Sequence, residues 1–171
     1  MNNPFDFTLR ICESIAFVLH GILGLTEPWT GCLRGAFNDN GAMPAWFWPV
    51  AGAILWVVAY ANFSGNDKAV LAAQAYIAAF HFGASFYHVR LGHHPAAAFP
   101  PLLFVVFAFV VATIRIGIWI SLLGTGLATI AALALSKVLV TPPASSEQTN
   151  LLLDDGATHD SYKTCSRAGC K

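Results

Sequence analysis

Residues 78–101 read AAFHFGASFYHVRLGHHPAAAFPP, the end of an apolar helix that carries four of the chain's six histidines and then breaks at a proline-flanked loop. Gln74, Ala78, His81, Ser85 and His88 recur at alternating steps of four and three residues. That spacing puts them on one helical face, with Tyr76, Phe80, Ala84 and Tyr87 around the rest of the circumference. In lipid each unsatisfied polar group costs several kcal/mol. The stripe is therefore expected to face a protein interior or a wet cavity.

Composition agrees with a membrane setting. Hydrophobic residues make up 56% of the 171, charged residues 11%, and mean hydropathy is +0.60. Soluble domains carry about 25% charged residues. The formal charge of zero excludes a strongly basic nucleic-acid footprint, so no nucleic-acid partner is expected. None of the four cysteines forms a C-x-x-C pair, which leaves metal–thiolate and thioredoxin-like chemistry without support. Cys12 reads as a small buried hydrophobe, while Cys165 and Cys170 sit in a polar tail.

Working outward, the apolar runs predict an all-α membrane protein with spans over 7–25, 44–63, 69–89, 101–115 and 118–139. The first is read as a retained transmembrane helix, since Glu13 and His20 interrupt its apolar run and no small-x-small cleavage site follows. Those two residues, seven apart, are expected to share a face. The connector 26–43 is rich in turn residues, among them Asn38-Asp39-Asn40-Gly41, and part of it near 29–37 is expected to lie along the interface. Pro49 is expected to tilt or kink the second span.

The apolar stretch 100–140 would be ~60 Å long as one helix, twice the ~30 Å bilayer core. Two spans with a turn at Arg115-Ile116-Gly117 fit better. Small residues from Gly117 through Ser121, Gly124, Ala128, Ala132 and Ser136 suit close packing of the last one. Residues 1–140 thus form a helical bundle, and 141–171 a disordered polar tail.

Several stretches together resemble the DoxX-like family of small four-helix membrane proteins. Arg10 leads into FVLHG (17–21), then come FNDNGAMPAW (37–46), PVAGAILWV (49–57) and GASFYHVRLGHHPAAAFPPLLFVVFAFVVATIR (83–115). The resemblance spans roughly 10–115. It differs at Leu55-Trp56, where an acidic residue often stands, and in the apolar segment and tail after Arg115. It implies an antiparallel four-helix bundle, to which the chain adds a fifth transmembrane helix and the tail. Some members of that family are subunits of membrane oxidoreductases acting near quinones, and distant animal relatives are assembly chaperones.

The candidate ligand- or proton-handling residues are His20, His81, Glu13, Arg115, Ser85 and His88. His20 and His81 both lie ~18 Å along their helices from the same side of the bundle. They read as carbonyl-bonded core histidines, or alternatively as a pair in a ligand or proton pathway; nothing else in the chain argues for haem. Glu13 is expected to pair with Arg10 or with Arg115, or Arg115 to snorkel to headgroups. His93 and His94 join His88 in a loop without a carboxylate, so solvated interfacial histidines are expected there rather than a metal.

No Gly-rich phosphate loop, Ser-His-Asp set or close carboxylate pair is present. Two functions remain open. One is a non-enzymatic accessory or assembly subunit of a membrane complex, embedded in the lipid bilayer beside other membrane subunits. The other is an oxidoreductase subunit holding a quinone or another small hydrophobic ligand.

Overall fold

A computed structural model describes residues 3–36 and 43–139. The tail with Cys165 and Cys170, and the turn run 38–41, lie outside the described residues. The described chain is helical throughout: α1 (Pro4–Thr30), α2 (Cys32–Ala36), α3 (Phe47–Asn62), α4 (Asp67–Arg90), α5 (Pro95–Ile116) and α6 (Ile118–Leu139).

Local chemistry sets the ends of these helices. Asn3 accepts a hydrogen bond from Phe5 N at 2.9 Å ahead of Pro4, so α1 begins before the expected residue 7. It runs on through Pro28 to Gly31, whose φ of 61° lets its N–H reach Glu27 O at 2.9 Å. Within the connector, the described residues form the five-residue helix α2. The helix expected as the second span starts at Phe47 rather than 44, because residues 43–46 bend and turn. Pro49 then falls in the first turn of α3, where its missing N–H disturbs nothing.

Asn66 caps α4, accepting from Lys68 N at 2.9 Å. The His94 side chain accepts from Ala96 N at 3.2 Å. With Pro95 after it, α5 opens more than a turn before the expected residue 101 and continues through Pro100 and Pro101. The expected break after Arg115 is present, at Gly117 with φ 83°.

Four of the described helices, α1, α4, α5 and α6, are long and apolar enough to cross a membrane; α3 is apolar but has 16 residues, roughly 24 Å at 1.5 Å per residue. Their outward faces are apolar, with exposed Ile15, Leu19, Val57, Val106, Leu123 and Ile130. Exposed Trp29 and Trp46 mark one end, Tyr60 and Trp119 the other, as in the aromatic belts of membrane proteins. The protein is an integral, multi-pass membrane protein.

Helices α1 and α3 run antiparallel in backbone contact at Gly21, Gly24 and Gly52. The core joins Phe17 of α1 with Leu55, Val58 and Ala59 of α3, Ala73, Ile77 and Ala78 of α4, and Ala108 of α5 in one cluster. A smaller cluster of Leu9, Val70 and Val111 lies towards the N-terminal end of α1. Helix α6 returns along α4 and α5, with Ser121, Ala132 and Ser136 buried and Gly124 exposed. The whole stripe Gln74, Ala78, His81, Ser85 and His88 is buried, as its spacing predicts.

Candidate functional site

Steps of four and three along α1 place Asp6, Arg10, Glu13 and Phe17 on one face, and all four are buried. The ends of α3 and α5 and the start of α4 meet that face, because each connection there is short. Asp6 accepts from Arg115 twice, Nε at 3.0 Å and Nη2 at 2.9 Å, and from Arg10 Nε at 3.1 Å. The fork-on-carboxylate geometry suits guanidinium well. Arg115 also bonds Asp67 through Nη1, and Arg10 Nη1 donates to Asn62 O.

Glu13 stands one turn deeper and is fully buried. Its Oε2 accepts from Asn62 Nδ2 at 2.8 Å and from Gln74 Nε2 at 2.9 Å. Gln74 Nε2 also donates to Asn62 Oδ1 at 2.7 Å. These bonds define the orientation of both amides, since a nitrogen must face each acceptor. Among the described residues no donor reaches Glu13 Oε1 or Gln74 Oε1. Beside Gln74 a cleft of about 80 Å³ opens between α4, α5 and α6.

This arrangement corrects the expected partners of Glu13. It bonds neither Arg10 nor Arg115; both cations meet Asp6, and Glu13 meets two amides. Asp6, Asn62 and Asp67 were not among the sequence candidates. Asp6, four residues before Arg10, was a readable signal, and Asn62 is the one polar side chain at the end of an apolar helix.

The histidines divide. His81 is buried with Nδ1–H on Ile77 O at 3.0 Å, its ring 5.1 Å from Phe17 and 4.7 Å from Phe104. His20 is exposed, with Nδ1–H on Ala16 O at 3.0 Å. Glu13 and His20 therefore do not share a buried face. Beyond Phe17, α1 packs through Gly21 and Gly24 on α3, which leaves His20 outside that contact. Phe17 rather than His20 is the α1 side chain whose ring meets His81, tilted by 31°. His20→Leu and His81→Leu are accordingly expected to add, within about 0.5 kcal/mol, in thermal unfolding of the single and double variants. A sub-additive double variant would reveal a coupling between the two rings.

At the opposite end Ser85 Oγ bonds Ala98 O at 3.0 Å, and Arg90 Nη1 bonds Ser136 O at 3.2 Å, tying α4 to α5 and α6. His88 and His93 face each other nitrogen to nitrogen at 2.8 Å, one donating to the other, next to Tyr87. His94 caps α5. Among the described residues no group of three or more His, Cys, Asp or Glu side chains is placed to hold a metal ion. Glu27 is buried and spans the α1–α2 corner, accepting from Leu33 N at 2.7 Å and Arg34 Nε at 3.2 Å. Compared with known proteins, the chain matches no family model, no curated protein and no solved structure.

Proposed function

We propose that α1, α3, α4 and α5 form a DoxX-like four-helix bundle, that α6 adds a fifth span, and that the protein is a non-enzymatic accessory or assembly subunit of a larger membrane complex. The observation that carries this reading is how the polar groups at this end of the bundle are used. Asp6, Arg10, Asn62, Asp67 and Arg115 bond across four helices rather than around a chamber. The cleft beside Gln74 holds about 80 Å³, against the ~300–1,000 Å³ of ligand pockets.

Cross-linking in native membranes followed by purification tests the reading. A membrane protein recovered in fixed stoichiometry, whose own accumulation falls when this chain is deleted, is the expected result. A chain that purifies alone, and whose deletion leaves other membrane complexes intact, would overturn it.

A second reading is a redox-complex subunit holding a quinone or another small hydrophobic ligand. The two acceptors without donors, Glu13 Oε1 and Gln74 Oε1, favour it, since a hydroxyl-bearing head would bond both. Extractable quinone or a chromophore in purified protein is its signature.

The fifth span carries its own prediction. A glycosylation or cysteine-labelling reporter placed after Ser136 is expected on the side opposite to the N-terminus. The antiparallel run of α6 and the Arg90–Ser136 contact put its end beside the end of α4. Both reporters on one side would mean that α6 does not cross.

A further inference from the structure

We propose that the Glu13–Asn62–Gln74 cluster is a proton-binding site within the membrane bundle, with Glu13 as the group that takes the proton. Three observations meet there. Glu13 is 0% exposed and lies roughly 14 Å along α1 from Pro4, by the 1.5 Å rise. A lone carboxylate removed from water gives up its charge unless a cation or enough donors compensate it.

The second observation is the charge count. The charged groups around Glu13 are Asp6 and Arg10 on α1, Asp67 on α4 and Arg115 on α5. Arg10 and Arg115 spend their ion pairs on Asp6 and on Asp67, which stands exposed at the edge of the set, and neither guanidinium bonds Glu13. Lys68 is exposed, and His81 sits among Phe17, Phe80 and Phe104 with its Nδ1–H on a carbonyl. Helix α3 brings only the Asn62 amide, and α6 has its one charged side chain, Lys137, in its last turn. An ionised Glu13 would therefore have no cation bonded to it among the described residues.

The third is the hydrogen-bond inventory. Gln74 Nε2 faces two acceptors, and Glu13 Oε1 and Gln74 Oε1 are both buried without a donor among the described residues. A single proton on Glu13 Oε1, donated to Gln74 Oε1, supplies both and leaves no charge on the buried acid. The acid and the amide then pair through two bonds, Nε2–H to Oε2 and Oε1–H to Gln74 Oε1. Gln74 also borders the cleft formed with Leu71, Ala108, Ala112, Ser121 and Gly124, whose volume of about 80 Å³ has room for water. That cleft is the route by which the proton exchanges.

The chain has three glutamates, Glu13, Glu27 and Glu147, which makes the site directly readable. Full-length protein carrying ¹³C at the glutamate side-chain carboxyl, in lipid nanodiscs, is followed by carbon NMR across pH. One resonance is expected at the neutral-acid position at neutral pH, and Glu13→Gln should remove that one. If Glu13→Gln does not fold, Glu27→Gln and Glu147→Gln assign the resonance by elimination. Three carboxylate resonances at neutral pH would overturn the proposal. So would a Glu13 resonance at the carboxylate position that moves with sodium at constant pH, which would make the site one for a metal cation instead.

Discussion

Gly52→Ala is expected to cost about 2–3 kcal/mol, the upper part of the range for overpacked interiors, and to lower the melting midpoint by roughly 5–10 °C. A methyl at Gly52 would stand 2.7 Å from Gly21 O and 2.8 Å from Leu25 N, both backbone atoms of α1. Backbone cannot swing aside as a flexible side chain would, so α1 and α3 must part along their length. Gly24→Ala meets the same obstacle from the other helix, with Trp48 O at 2.7 Å. Gly126→Ala is the control: it has nothing within 4 Å and should leave stability unchanged, or raise it slightly through helix propensity. Thermal unfolding in one detergent, with all three variants side by side, checks the set. A Gly52→Ala protein that melts like wild type would mean that the two helices are not in backbone contact.

Arg115→Met is expected to destabilise by about 2–3 kcal/mol, less than the ~3–5 kcal/mol of breaking a fully buried ion pair, because Arg115 is half-buried and Asp6 keeps Arg10. It deletes both bonds to Asp6 and the bond to Asp67, and leaves Asp6, 3% exposed, with Arg10 alone. Asp6→Asn should also destabilise, since it leaves two guanidiniums at that end with only the exposed Asp67 opposite them. The double variant should recover part of the loss, with a coupling of about 1–3 kcal/mol, because neither charge is then stranded. Melting of the four proteins gives the cycle. Strictly additive losses would place Arg115 among the headgroups rather than on Asp6.

These two expectations come from different levels of the chain. Arg115 at the end of an apolar run, and the turn at Gly117 after it, are local matters of run length and glycine backbone freedom, and both were legible in the sequence. So was the buried face from Gln74 to His88, which is a spacing along one helix. The starts of α1 and α5 were also written locally, in Asn3-Pro4 and His94-Pro95, although apolar runs alone place them too late. Hydropathy ends where polar residues begin; a helix ends where its backbone donors and acceptors lose their partners.

Membrane residence, the positions of the helices and the inward face of α4 are thus properties of the sequence by itself. They depend on composition and on repeats of a few residues. Which carboxylate Arg115 meets depends on the tertiary structure, since Asp6 lies 109 residues away and Glu13 is on the same face of α1. What separates them is about two helical turns of depth, and which of them lies level with the end of α5 follows from how the helices seat against one another. The same seating puts Phe17 on His81 and leaves His20 outside. It also brings Asn62 and Gln74, twelve residues apart on two helices, onto one oxygen of Glu13. No periodicity encodes that meeting, because it is decided by the rotation and height of three helices packed together.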